Sequence, residues 1–255
     1  MDGERAVEFP SGWPMKSRAT PFSRQAIPVL ADIHGDLCAF ERVLEEIDEL
    51  KLTHPPLLLG DLFWSLDRTG EPGGVLDLVM RRPWLALVRG NTDEWLVDGT
   101  LESMCPVDPE ELAARDRMRS FVRQLGVEQR RFLEALPLTY RFVLHDRIWL
   151  AAHASPMSAV TGIPLGLSVE QTQQRLAGLE VDCLVTGHLH RAFTQMLGRV
   201  LHVGVGAVGR HPFDYDGIAD FAVLDATPSG IAITHQRVRI QRRAIDRTAA
   251  MHAWV

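Results

Sequence analysis

The chain has 255 residues, 46% hydrophobic and 24% charged, proportions of an ordinary globular protein that argue against disordered or collagen-like classes. A net charge of -6 argues against a protein whose main task is to coat nucleic acid, so stable nucleic-acid binding is not expected. Three cysteines without CxxC spacing exclude a disulfide framework and a zinc ribbon, and no apolar run suits a leader or a membrane span, so a cytoplasmic protein without membrane attachment is expected.

Residues 1–26, with scattered charges, prolines and a tryptophan, read as an irregular N-terminal arm. Ile27 to Ala31 is a short apolar run of strand character, and Phe40, Val43, Leu44 and Ile47 recur at helical spacing behind Asp36, which suits a helix start. Pro56 to Leu59 predicts a second strand, Val75 to Met80 a helix, and Trp84 to Val88 a third strand. Alternating strands and helices imply an α/β core whose strand-end loops carry the chemistry.

Residues 108–136 read as a helical pair laid on the core, with Met118, Phe121, Val122 and Leu125 in one stripe and a stop at Gly126. Strands are then expected at Tyr140–Leu144, Ile148–Ala152, Cys183–Thr186, Val200–Val203, Ile218–Leu224 and Ile231–Val238, with a helix near Val169–Leu176. With no internal repeat and no separating linker, residues 27–240 form a single domain carrying the 108–136 insert or cap, and 241–255 a tail.

The loops that follow the apolar runs share one kind of chemistry. They read Asp32-Ile-His34, Gly60-Asp61, Gly90-Asn91-Thr92-Asp93, a single His153 after "IWLAA", and Gly187-His188-Leu-His190 after "CLVT". Each offers oxygen or imidazole nitrogen, and five such loops converging on one sheet edge would assemble a polynuclear metal site. Mixed imidazole and carboxylate ligands suit Mn, Fe, Zn, Ni or Co, and the lack of a cysteine argues against a purely structural zinc site. Two divalent ions, set against two carboxylates and a bridging hydroxide, leave a net positive centre that attracts phosphate and makes hydroxide available as a nucleophile.

The ordered series DIH, GD, GNTD, a lone His in "AAHASP" and GHLH resembles the calcineurin-like metallophosphoesterase superfamily, and within it the small bacterial and archaeal phosphodiesterases of the YfcE type. The resemblance runs from about Ile27 to Leu224 and includes "VGVGAVGRHPFD", similar to the superfamily's Gly-rich active-site loop. It implies a four-layer α/β/β/α sandwich of two mixed β-sheets between helices, the metallo-dependent phosphatase fold. It implies two divalent metal ions, Mn first: Asp32, His34 and His190 hold one, Asn91, His153 and His188 the other, and Asp61 bridges them. The candidate catalytic residues are Asp61, Asn91, Thr92, Asp93 and His153. A metal-bridging hydroxide would attack phosphorus in a small phosphorylated substrate, a nucleotide-like or cyclic phosphodiester. The alternatives are a phosphomonoesterase, a dinucleoside-polyphosphate or protein phosphatase, and a non-catalytic scaffold of the same fold.

Thr92 stands where many members carry a histidine that protonates the leaving alcohol, and a threonine hydroxyl is a poor general acid near neutral pH. Its presence favours leaving groups that need little protonation. Asp93 reads as a helix cap or a brace behind a ligand. Trp64 could stack on a base or pack under the loop, His211 lies in the Gly-rich loop where it could touch substrate, and the arginines of the insert could form a basic rim or an ion-paired solvated face.

Overall fold

The computed structural model describes residues 22–23, 25–65, 70–176, 178–209, 217–227 and 230–240. The first apolar run forms β1 (Ile27–Leu30), and Asp36 caps α1 (Leu37–Glu49) by accepting a hydrogen bond from the Ala39 amide at 3.1 Å. β2 (Leu57–Leu58), α2 (Pro72–Arg81) and β3 (Ala86–Leu87) repeat the strand-helix unit, with β1, β2 and β3 in parallel. Two short helices not anticipated from the sequence, α3 (Asn91–Glu94) and α4 (Thr100–Ser103), follow.

The expected helical pair is α5 (Pro109–Gln124) and α6 (Val127–Glu134). Asp108 caps α5 through the Glu111 amide at 2.8 Å, with Pro109 in the first turn, where its missing N–H leaves no hydrogen bond unmade. The break falls at Gly126, whose amide is held by the Gln129 side chain at 2.8 Å.

The second half supplies β4 (Thr139–Leu144), β5 (Arg147–Ala152), α7 (Val169–Arg175), β6 (Cys183–Thr186), β7 (Ala192–Leu197), β8 (Val200–Val205), β9 (Ile218–Thr227) and β10 (Gly230–Arg239). Of these, only β7 lacks a sequence expectation. It is an edge strand with Ala192, Thr194 and Met196 exposed, so burial imposes no apolar alternation on it, and its antiparallel ladder with β8 creates it.

The strands make two mixed sheets of five, ordered β10-β9-β1-β2-β3 and β4-β5-β6-β8-β7. Alternate residues divide the faces, because successive side chains of a strand point to opposite sides. Val29, Ala31, Leu57 and Leu59 meet Trp149, Ala151, Cys183, Val185, Val203 and Val205 between the sheets. Leu30 and Leu58 turn outward onto α1, α2 and the insert, and Leu150 and Leu184 turn outward beside Val181, Leu167 and Leu176 near α7. The result is an α/β/β/α sandwich. No helix among the described residues is long and apolar enough to cross a membrane, and Cys38, Cys105 and Cys183 are free. The expected tail, and the arm before Phe22, lie outside the described residues.

On the second sheet His202 is completely buried between Thr186 and Gln195. The Gln195 amide nitrogen donates to its Nδ1 at 3.0 Å, so its Nε2–H donates to Thr186 Oγ1 at 2.9 Å and the ring is neutral. Burial pushes the imidazole down from 6.5 to about 4. Between those values the unfolded chain binds the extra proton, so the folded state loses stability as pH falls from 6.5 to 4. The loss attributable to His202 is on the order of 3 kcal/mol. Urea unfolding across this range should show a steeper decline in the wild type than in His202→Gln, and equal slopes would contradict the assignment.

Candidate metal centre

The C-terminal ends of β1, β2, β3, β5 and β6 deliver the five expected loops to one place. Backbone bonds tie them together: Asp32 N to Gly60 O and His34 N to Asp61 O, each 3.0 Å, and Gly187 N to His153 O, also 3.0 Å. The glycines of the motifs stand where chains touch. A Cβ on Gly60 would lie 2.2 Å from Gly90 N, one on Gly90 would lie 2.2 Å from Asp61 N, and one on Gly187 would lie 2.8 Å from Asp32 Oδ2.

The donors themselves have an unusual backbone. Asp32 (φ 58°), His34 (51°), Asp61 (55°), His188 (66°) and His190 (52°) all lie in the left-handed region, five of the eight non-glycine residues with positive φ among those described. Each costs about 1 kcal/mol or more relative to ordinary conformations, and such strain gathers at functional sites.

Hydrogen bonds fix what each ring presents. His34 Nδ1 lies 2.6 Å from Trp64 O and His153 Nδ1 lies 2.7 Å from Leu59 O; a carbonyl only accepts, so both Nδ1 atoms carry the proton. The Nε2 atoms are then left facing other acceptors. His34 Nε2 is 3.1 Å from His190 Nε2, 3.7 Å from Asp61 Oδ2 and 4.0 Å from Asp32 Oδ1. His190 Nε2 is 3.4 Å from Asp32 Oδ1, His153 Nε2 is 3.4 Å from Asp61 Oδ1, and His188 Nδ1 is 3.2 Å from His153 Nε2. The donor atoms of Asp32, His34 and His190 lie within 4.8 Å of one another, as do those of Asp32, Asp61 and His153. Asn91 Oδ1, at the same junction, is buried with no protein partner.

Electrostatics point the same way. Burial, opposed by the nearby carboxylates, brings the His34 imidazole down to about 4, so it is a neutral donor. Burial, together with the charge on His153, lowers His188 as well. Burial also works against charge on His153, but Asp61 and then Asp32 prevail and push it up to about 10. Burial would raise the Asp61 carboxyl, yet His153, His34 and the Thr92 amide hold it well below the usual range. A cluster of lone pairs that pulls a proton onto a fully buried imidazole is deficient in positive charge. Divalent cations with mixed nitrogen and oxygen ligands fit this donor set, and the orphaned Asn91 oxygen fits it too.

Asp93 faces backbone. Its Oδ2 accepts from Asp61 N and Gly90 N, each at 2.9 Å, and its Oδ1 from Leu62 N at 2.8 Å, so it clamps the Gly60-Asp61 turn to the Gly90-Asn91 turn. Thr92 N donates to Asp61 Oδ1 at 2.9 Å, while the Thr92 hydroxyl is buried without a partner. Trp64 is buried and packs edge-on to Trp95 at 5.3 Å, which places it under the loop. His211 falls outside the described residues.

The insert's arginines serve the chain's own carbonyls. Arg115 donates to Met104 O at 3.2 Å, Arg117 to Ser65 O at 3.0 Å, and Arg119 to Leu101 O and Glu102 O at 3.1 and 2.9 Å. They therefore staple α4 and the end of the Asp61 loop to α5, and ion pairs of Arg115 with Asp116 (2.8 Å), Arg119 with Glu102 (2.8 Å) and Arg131 with Glu128 (3.5 Å) accompany them, as an ion-paired face would. The carbonyls of Leu59 and Trp64, which orient the His153 and His34 rings, have no sequence signal, since any residue supplies a carbonyl. A 540 Å³ groove lined by His145, Arg147, Asp182, Cys183, Arg199 and Leu201 lies at the opposite ends of β5, β6 and β8.

Two mixed sheets between helices, with carboxylates, an amide and imidazoles gathered at the strand ends, define the metallo-dependent phosphatase class. The calcineurin-like phosphoesterase superfamily domain matches residues 26–229, and the chain belongs to that superfamily, a class of metal-dependent phosphoester hydrolases. Among solved structures it is similar to the hypothetical protein PH1004 from Pyrococcus horikoshii OT3, with TM-score 0.70, 18% identity, and coverage of 89% of this chain and 92% of that one. It is also similar to a metallophosphoesterase from Sphaerobacter thermophilus, with TM-score 0.61, 21% identity, and 85% and 89% of the two chains covered. A putative diadenosine tetraphosphatase follows, with TM-score 0.50, 18% identity, and 86% and 96% covered. At these identities the similarity is one of fold. No curated protein matches the chain in sequence.

Proposed function

We propose that the protein is a dinuclear-metal phosphodiesterase acting on nucleotide-like or cyclic phosphodiesters. The reading rests on one observation: oxygen and imidazole donors from five strand-end loops converge on one place, with His34 Nε2 and His190 Nε2 3.1 Å apart and the Asn91 oxygen buried beside them without a protein partner. Asp32, His34 and His190 would hold one cation, Asn91, His153 and His188 the second, and Asp61, whose two oxygens face His153 and His34, would serve both. Manganese is the proposed metal; Fe, Zn, Ni and Co suit the same ligands. When bound, such ions supply Lewis acidity toward phosphoryl oxygens and make hydroxide available near neutral pH.

The chain's own residues do the rest. Trp64 O and Leu59 O keep two Nε2 lone pairs aimed inward, the Thr92 amide orients Asp61, and Asp93 acts as a positioning residue behind both loops. Among the described residues the position after Asn91 offers a buried threonine hydroxyl, a poor general acid, which suits a leaving group that departs with little protonation. That same observation favours a second reading, a dinucleoside polyphosphate substrate, because a nucleotide leaves as an already ionised phosphate.

The test is hydrolysis by metal-stripped protein refilled with Mn, on bis-p-nitrophenyl phosphate, p-nitrophenyl phosphate and diadenosine tetraphosphate. Metal-dependent turnover favouring the diester is expected. Preference for the tetraphosphate would select the second reading, and preference for the monoester, or no turnover with two ions bound, would reject both.

A further inference from the structure

The segment between His153 and Gly162 has features that attack at phosphorus does not require. The chain leaves His153, turns tightly at Pro156-Met157 and closes with Ser155 N to Ser158 O at 3.0 Å and Ser158 N to Ser155 O at 3.3 Å. Ser158 Oγ then accepts from Val160 N at 3.1 Å and Thr161 N at 2.9 Å. The loop returns to the centre at Gly162, where a Cβ would stand 2.9 Å from His188 Cδ2, so a side chain there would press on the ring. Ala159 and Ile163 are buried, Ile163 in the cluster with Leu150, Val181 and Leu184. The loop is therefore hydrogen-bonded, anchored in the core and pinned at both ends to imidazoles that lie 3.2 Å apart.

Apart from Thr161, its outward side chains are nevertheless apolar. Met157 is 80% exposed, Val160 58% and Leu165 48%. A single exposed apolar side chain needs no explanation, but three within nine residues of a preorganised loop beside a site do. The folded chain does not bury them, and the loop's own hydrogen bonds do not need them. Val143 and Met196 are equally exposed, but they lie on the edge strands β4 and β7.

We propose that the 155–165 loop is the substrate-selecting rim of the centre, and that Met157, Val160 and Leu165 receive the aromatic or heteroaromatic group esterified to phosphorus. The proposal rests on the phosphoester reading and names the class of substrate within it. The loop starts at one centre imidazole and returns against the other, so it borders the place where a group attached to phosphorus would lie. Methionine's polarisable thioether adapts to the face or edge of a ring, and the branched side chains supply apolar area.

The test uses Mn-loaded protein and two inert ligands with stable C–P bonds, phenylphosphonate and methylphosphonate, titrated by calorimetry. The wild type should bind the phenyl compound about tenfold more tightly than the methyl one. In Met157→Ser/Val160→Ser the ratio should fall close to one with methylphosphonate affinity unchanged, while Val143→Ser/Met196→Ser should keep the wild-type ratio. A ratio near one in the wild type, or one retained in the loop variant, overturns the rim and leaves the phosphoester reading standing. Failure of both phosphonates to bind removes that reading, and the rim with it.

Discussion

Asp61→Asn should lower metal-dependent turnover by about a thousandfold, because it removes charge at a carboxylate whose two oxygens face different imidazoles. The substitution is nearly isosteric, and the Asn oxygen can still accept from Thr92 N, so the loop itself should survive. What disappears is the attraction for a divalent ion, worth several kcal/mol where ligands are this buried. A second readout avoids catalysis altogether. Mn should raise the Tm of the wild type, since it binds the folded state preferentially, and should raise that of the variant far less. In the metal-free protein the His153 imidazole, which Asp61 helps push up to about 10, should become largely neutral at pH 7 in the variant and be visible as such by NMR. A variant that kept both turnover and the metal-induced Tm shift would show that Asp61 is not a ligand.

The next largest effect is expected at Asp93. Replacing it with alanine leaves the amides of Asp61, Leu62 and Gly90 without their acceptor in the interior. Each buried unsatisfied group costs about 1–3 kcal/mol, and relief of repulsion from Asp61 offsets part of the sum, so a net loss of about 3–5 kcal/mol is expected. Asp93→Asn keeps one oxygen but turns an NH2 toward an N–H, and should fall between the alanine variant and the wild type.

The pH dependence carries its own sign. Burial and the Asp61 charge push the Asp93 carboxyl up to about 7 from 3.8, so the metal-free folded protein holds that proton longer than the unfolded chain does. Its contribution to stability is complete below pH 3.8 and declines as pH rises to 7, which is the opposite trend to that of His202. Urea unfolding of metal-free protein at several pH values separates the two, and an alanine variant within 1 kcal/mol of wild type would show that the two loops are held by other means.

The sequence exposed the parts of the centre that are local. An apolar run of four or five residues ending in Gly, Asp, Asn or His needs no distant contact to be recognised, and DIH, GD, GN and GHLH all stand where β1, β2, β3 and β6 end. Asp36 as a cap and the break at Gly126 are likewise matters of one turn of chain. By contrast β7 carries no apolar alternation and exists because β8 pairs with it, and the short α3 and α4 had no periodicity long enough to detect. The arginines of the insert looked like candidates for a substrate rim, since composition does not tell a guanidinium facing solvent from one bound to a carbonyl. Arg117 reaches Ser65 O, 52 positions away.

Residue order alone therefore specified the α/β class, the strand ends and the donor-bearing loops, because hydrophobic period and donor chemistry are properties of short segments, while the seven expected ligands followed from the resemblance to the superfamily. Folding decided which donors meet, which ring nitrogen His34 and His153 offer, that Asp93 clamps two turns, and that the 155–165 loop leans on His188 through Gly162. Those facts depend on contacts between residues 26 to 156 positions apart, such as Gly162 with His188 and His188 with Asp32, and only the packing of two sheets brings such residues together.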